Sequence, residues 1–234
     1  VKEFSNILFE EQSHTYTVRG VKYTPVSTVI SKAKTPFDKE KQLVSSSKKT
    51  GKTVNELREE WDFKKDFGCT RGTNFHSYVE NYYTKSNLPV DDTYIKNQIK
   101  QFQVFEKQNS KTYSLVEAEC IVYDVESKVA GTFDALFQDT KGNLSIFDWK
   151  TNSDLSLDNR WQNFLGKLSH LQQSDYNAYS LQLSLYKYMI EKNTDLKIKD
   201  LKIVYFPPEQ HTHYVYTCPY LLEEVKILLD LASK

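Results

Sequence analysis

Apolar residues recur along the chain with two periods, and the switches between them outline its elements. The clearest period-two stretch spans residues 129–152, VAGTFDALFQDTKGNLSIFDWKTN. Phe133 and Ala135 flank Asp134, the turn Lys141-Gly142-Asn143 follows, and Leu144-Ser145-Ile146-Phe147 climbs to Asp148. Two strand-like runs joined by a Gly-Asn turn predict a β-hairpin. A smaller β-unit is expected within residues 4–29, a hairpin of residues 14–18 and 21–23 about Arg19-Gly20, with His14 a packed or capping histidine.

Helical spacing dominates elsewhere. Residues after Pro25 lead into a helix with Ser27 or Thr28 as caps. Val54, Leu57 and Trp61 fall at i, i+3 and i+7 and predict a helix over 53–65. Gly72-Thr73 is read as the start of another, with Phe75, Val79 and Tyr82 as its apolar stripe. Asn87-Leu88-Pro89 breaks it, and residues 91–108 form the next, burying Ile95, Ile99, Phe102 and Phe105. Residues 115–123 read as a strand whose Glu117 and Glu119 are expected to face solvent, with Glu119 near the hairpin carboxylates as the alternative. A long polar connection, irregular or partly helical, covers 151–175. Asp175 is the expected cap of a helix over 176–192, where Tyr179, Gln182 and Tyr186 share a stripe; an amide buried there needs a partner. Strands over 201–206 and 213–217 and a helix over 220–231 complete the chain.

Composition narrows the classes. The 234 residues are 39% hydrophobic and 26% charged, an ordinary composition for a soluble domain with a real core. With 31 basic and 31 acidic residues the net charge is +0, so any nucleic-acid contact must come from a local patch. The best such patch is the lysine-rich run from Lys32 to Lys52, including Lys34, Lys48 and Lys49, although a charge run is usually a solvated face. Cys69, Cys120 and Cys218 are scattered, with no C-x-x-C, which suits a reducing, cytoplasmic compartment. Neither an apolar signal core nor a membrane-length run is seen, so export and membrane insertion are not expected.

The hairpin carries the candidate chemistry. Its geometry brings Asp134 and Asp148 together, and period-two alternation puts Lys150 on the face of Asp148. Converging carboxylates call for a cation between them, and oxygen ligands with room for water suit Mg²⁺ or Mn²⁺. A lysine beside such an ion can act on water or neutralise charge on a phosphate. These are the parts for metal-assisted phosphodiester hydrolysis; the plain alternative is two turn aspartates and a solvated lysine. His76 and Glu80 lie i, i+4 and can reach one metal, although a histidine taken alone is more often a packed core residue.

The order Gly72-x-x-x-His76-x-x-x-Glu80, Gly131-Thr132-Phe133-Asp134, Asp148-Trp149-Lys150-Thr151 and Gln182-x-x-x-Tyr186 resembles the PD-(D/E)XK nuclease superfamily, in its RecB-like exonuclease branch. The resemblance implies an α/β (α+β) fold, a central mixed β-sheet flanked by helices with a restriction-endonuclease-like core. It implies that His76, Asp134, Asp148 and the Trp149 carbonyl bind one or two Mg²⁺ or Mn²⁺ ions and that Lys150 acts on the attacking water. Gln182, Tyr186, Glu80, Arg71 and Thr151 would support the site or touch DNA. Residues 1–66 would be an accessory region of the kind phage-encoded members carry, and 67–234 the nuclease core. Asp148 stands where Glu is commoner. Three scattered cysteines disfavour the subgroup with an iron–sulfur cluster, which needs four thiolates. The absence of a helicase segment makes the chain similar to stand-alone members, such as the mitochondrial genome maintenance exonucleases. The expected activity is metal-dependent DNA hydrolysis, as an exonuclease on ends or single strands. A structure-specific endonuclease and a degenerate, non-catalytic nucleic-acid-binding protein are the alternatives.

Overall fold

The computed structural model describes residues 4, 6–10, 13 and 15–233, so the reading of His14 lies outside the described residues. Strands β1 (Ile7–Glu10), β2 (Thr15–Val18), β3 (Val21–Pro25), β4 (Tyr113–Asp124), β5 (Val129–Asp139), β6 (Leu144–Lys150), β7 (Ile198–Tyr205) and β8 (Tyr214–Cys218) join in one mixed sheet. Among the described residues six α-helices accompany it: α1 (Val26–Lys32), α2 (Lys39–Thr50), α3 (Val54–Thr84), α4 (Lys96–Asn109), α5 (Asp175–Asn193) and α6 (Leu222–Ala232). None of the described helices is long and apolar enough to cross a membrane.

The central hairpin is β5–β6, antiparallel with Ala135 opposite Phe147 and Gln138 opposite Leu144. Its turn is fixed by Asp139, whose carboxylate accepts from the backbone N–H of Lys141 and Asn143, and by Gly142 at φ +85°. One edge of β5 pairs with β4 along its whole length, from Tyr113–Asp139 to Val129–Asp124. The other edge is shared. β3 runs parallel to it at Val129 and Ala130, and β6 pairs with it from Ala135 onward. Residues 131–134 therefore lie in a fork of the sheet. β3 stops there because it ends at Pro25, which has no N–H to continue a ladder.

Helices cover both faces. Val29 of α1, Leu181 and Leu185 of α5 and Leu228 of α6 pack with Val129, Phe133, Ile146 and Ile203. On the opposite face Phe75 and Val79 of α3 and Phe102 and Phe105 of α4 pack with Ala135, Phe137, Phe147 and Trp149. Each buried side chain of this size contributes about 1.5–3 kcal/mol by leaving water. A regular strand would put Phe133 and Ala135 on one face. They occupy opposite cores, so the alternation breaks at Asp134, and across the ladder Glu119 takes a left-handed backbone at φ +49°.

Several elements differ from the sequence reading. The helices expected over 53–65 and from Gly72 are one helix, α3, with a Thr53–Glu56 capping box at its start. Gly68 and Gly72 each weaken it by about 1 kcal/mol relative to alanine. Packing of α3 first on α2, with Leu43 and Leu57 buried, and then on the second core outweighs that. α4 begins at Lys96 because Asp91 turns the chain back onto Thr93 N–H. α5 is capped by Ser174, which accepts from Asn177 N–H, while Asp175 accepts from the N–H and hydroxyl of Ser156 and ties down the connection before it.

Candidate active site and metal centre

Four elements converge at the fork. Asp134 of β5 accepts the Trp149 N–H of β6 at 2.5 Å, a side chain taking the place of a ladder partner. Its other oxygen lies 3.0 Å from Nδ1 of His76, which α3 brings over the sheet. His76 Nε2 lies 3.1 Å from the Trp149 carbonyl oxygen. Both neighbours are acceptors, so without a cation in the site the imidazole donates from both nitrogens and is protonated, and it must give up a proton to bind a metal. Burial opposes that charge, but Asp134 overcomes it and raises the His76 pKa to about 9. Burial likewise works to raise the Asp134 carboxyl, and the charge and hydrogen bond of His76 hold it below its usual value.

Asp148 and Lys150 sit on one face of β6, as alternation requires, with Lys150 Nζ 2.5 Å from Asp148 Oδ2. Burial pushes the Asp148 carboxyl up, against the pull of Lys150 and with the repulsion of Asp134. Burial opposes the Lys150 charge, and Asp148 restores it to a raised pKa. The ammonium also lies 4.5 Å from the ring centre of Tyr179 on α5, a cation–π contact made by a ring that also packs against the core.

Glu119 of β4 takes the place that the sequence reading gave only as its alternative, near the hairpin carboxylates. Expected to face solvent, it falls opposite Asp134, between the pairs Ala118–Ala135 and Cys120–Phe133. Burial first, and the Asp134 charge second, raise its pKa to about 8. One ligand atom each of His76, Glu119 and Asp134 lies within 4.8 Å of the others. Period-two alternation puts Glu119 and Glu117 on one face of the strand and does not by itself decide which of them meets Asp134. The difference comes from the register shift between Leu115 and Glu117 and from the left-handed backbone at Glu119. Carboxylates, an imidazole and a main-chain carbonyl form a donor set that fits a hard divalent cation.

Three cavities meet at this cluster. One of about 340 Å³ is lined by Gly72, Thr73, His76, Ser77, Glu80 and Glu119. A second, of about 390 Å³, runs from His76 and Lys150 past Asn152 to Lys64 and Lys65. A third, of about 350 Å³, lies beyond Glu119 toward the N-terminal strands.

Glu80 is thus one turn beyond His76 at the rim, outside the group of three. Arg71 is buried; its Nη2 donates to the Thr151 carbonyl at 3.0 Å and lies 3.3 Å from Ser153 Oγ, fastening the chain after β6 to α3. The Gln182 amide finds its partner in the Tyr186 hydroxyl at 2.9 Å. Tyr186 in turn packs on Gly131 and Phe133 and buttresses β5 from behind. Lys32 ends α1, Lys34 follows it, and Lys48 and Lys49 lie in the last turn of α2; none of the four lines the three cavities. Two other lysines of that run are ion-paired to α3, Lys39 with Asp62 and Lys52 with Glu60. Lys64 and Lys65, at the end of the helix expected over 53–65 and given no role there, do line the groove leading to Lys150.

A family model described as the PD-(D/E)XK nuclease superfamily matches residues 52–227. No curated protein matches the chain. Among solved structures, one titled "Crystal structure of SSO0001" covers 89% of this chain and 73% of its own at 13% identity, with a TM-score of 0.34, a likeness too loose to carry an argument.

Proposed function

The chain belongs to the PD-(D/E)XK nuclease superfamily, and on that premise we propose that it is a metal-dependent deoxyribonuclease, working as an exonuclease on ends or single strands of DNA in replication, recombination or repair. The observation that carries this reading is the meeting of His76, Glu119 and Asp134 beside the Asp148–Lys150 pair. His76, Glu119 and Asp134, with Asp148 and the Trp149 carbonyl, would hold one or two Mg²⁺ or Mn²⁺ ions. Once bound, such an ion supplies a Lewis acid toward the phosphoryl group. Lys150, held in place by Asp148 and Tyr179, orients the attacking water or neutralises charge growing on the phosphate. Arg71 and Thr151 position the end of β6, Gln182 and Tyr186 support β5, and Glu80 borders the entrance.

DNA backbone binds along Lys64 and Lys65, with Lys32, Lys34, Lys48 and Lys49 as a second phosphate-contacting surface. Residues 1–66 act as an accessory region and 67–234 as the nuclease core, with α3 running through both. Unpaired Cys69, Cys120 and Cys218 suit a reducing, cytoplasmic setting, such as a phage-encoded enzyme meets in its host, and they are too few for an iron–sulfur cluster.

The test is incubation with end-labelled linear and closed circular DNA, single- and double-stranded, in Mg²⁺, Mn²⁺ or EDTA. Hydrolysis of linear DNA with either metal, abolished by EDTA and by Asp134→Ala or Asp148→Ala, is expected. Full activity in excess EDTA would sink the mechanism, and cutting of closed circles would replace the exonuclease with an endonuclease.

A further inference from the structure

Beyond Glu119 the fork opens into the cavity of about 350 Å³ between the N-terminal strands and the core. Phe9, Tyr16 and Ser27 line one side, and Ile121, Gln182 and Tyr186 the other. The first three precede residues 52–227, so the family match does not include half of this cavity. β3 brings them there, pairing with β5 only at Val129 and Ala130 before passing into α1, whose second residue is Ser27.

We propose that this cavity receives an unpaired nucleobase of the strand being cut, the base beside the scissile phosphate, a reading that rests on the nuclease assignment above. Position is the first argument. Glu119 lines both this cavity and the one at the metal centre, so the two adjoin and an occupant of this one neighbours a phosphate there. Wall chemistry is the second. The rings of Phe9 and Tyr16 are stacked, with centroids 4.6 Å apart and planes at 25°, and with Ile121 and Tyr186 they form apolar surfaces that suit a flat heterocycle. Polar groups are few but available. Gln182 donates to Tyr186, yet its Oε1 accepts no hydrogen bond among the described residues, and the Ser27 hydroxyl makes none. These groups can meet the edge of a base.

A phosphate is disfavoured as the occupant, because among the described residues no lysine or arginine lines the cavity and Glu119 does. A base within a duplex is paired and stacked and cannot enter, so the strand must be single or frayed at that nucleotide.

The test is binding measured in EDTA by fluorescence anisotropy. A labelled single strand is compared with an abasic strand of equal length, for the wild type, Ser27→Trp and Ser27→Ala. Ser27 is exposed on α1, so the indole can fill the cavity without entering the core. The wild type should bind the base-bearing strand on the order of tenfold more tightly, the scale of one base stacked on aromatic side chains. Ser27→Trp should bring that ratio toward one with abasic affinity unchanged, and Ser27→Ala should keep it. Where Ser27→Trp melts well below the wild type, Phe9→Ala, which removes one stacked wall, makes the same comparison. Equal wild-type affinity for the two strands, no binding of either, or a ratio that both variants leave intact would overturn the proposal. Metal-dependent hydrolysis is read in a separate assay, so either result can fail without the other.

Discussion

Replacing Gly131 with alanine places a methyl carbon 2.7 Å from Cε1 of Tyr186, 3.2 Å from its hydroxyl and 3.1 Å from Cγ2 of Val26. Tyr186 cannot step aside easily. It is buried, its ring centroid lies 5.7 Å from that of Phe133, and its hydroxyl holds the Gln182 amide. Two effects of opposite sign compete. Alanine restricts the unfolded chain and stabilises by about 0.4–1 kcal/mol, whereas overpacking a core costs about 1–3 kcal/mol. The clash wins, leaving a net destabilisation of about 1–2 kcal/mol, or a Tm lower by about 2–8 °C for a chain of this length. Thermal melting by circular dichroism measures it. Combining Gly131→Ala with Tyr186→Phe, which removes only the 3.2 Å contact, should recover part of the loss. Tyr186→Leu removes both ring contacts, and its double-mutant cycle with Gly131→Ala should show a favourable coupling of at least about 0.5 kcal/mol. A Tm unchanged or raised in Gly131→Ala, or a coupling of zero, would refute the account of how β5 is buttressed.

Lys150→Ala should lower the hydrolysis rate by on the order of 10²-fold or more at saturating metal while leaving metal affinity nearly unchanged; unchanged turnover would make the lysine a structural charge alone. His76→Ala and Glu119→Gln should each raise the metal concentration needed for half-maximal activity, and a metal titration beside a melting curve separates that from a purely structural loss, which would lower Tm and leave the titration alone. Asp124 accepts from Lys192 at 2.6 Å and from the N–H and hydroxyl of Ser127, and although burial works to raise its pKa these partners hold it below the usual carboxylate value. A depressed folded pKa contributes stability above the unfolded value that is lost as pH falls through the folded one. The Tm gap between the wild type and Asp124→Asn should therefore be full at neutral pH and close below about pH 4; a gap that stays constant into acid would contradict the ion pair.

Local pattern alone determined the β5–β6 hairpin, because Gly142 and Asn143 sit between alternating runs, and along β6 the two-residue period sets which side chains share a face, whereas on β5 it breaks at Asp134. That is why Asp148 and Lys150 were legible as neighbours. The i, i+4 spacing of Gln182 and Tyr186 put them on one stripe, and the structure supplies the amide's partner in the Tyr186 hydroxyl. Other features depend on pairings between distant segments. Glu119 enters the site only because β4 takes one register against β5 with an irregularity near Leu115, and no spacing along β4 encodes that choice. The fork at residues 131–134 exists because β3, more than a hundred residues earlier in sequence, occupies two positions of the β5 edge and then ends at Pro25. The unbroken course of α3 through Gly68 and Gly72 follows from burial against α2 and the second core, an energy that helix propensity does not contain. Lys64 and Lys65 gain their place beside Lys150 for the same reason: the sequence determines that they are charged and helical, and only the packing of α3 against the end of β6 decides what they face.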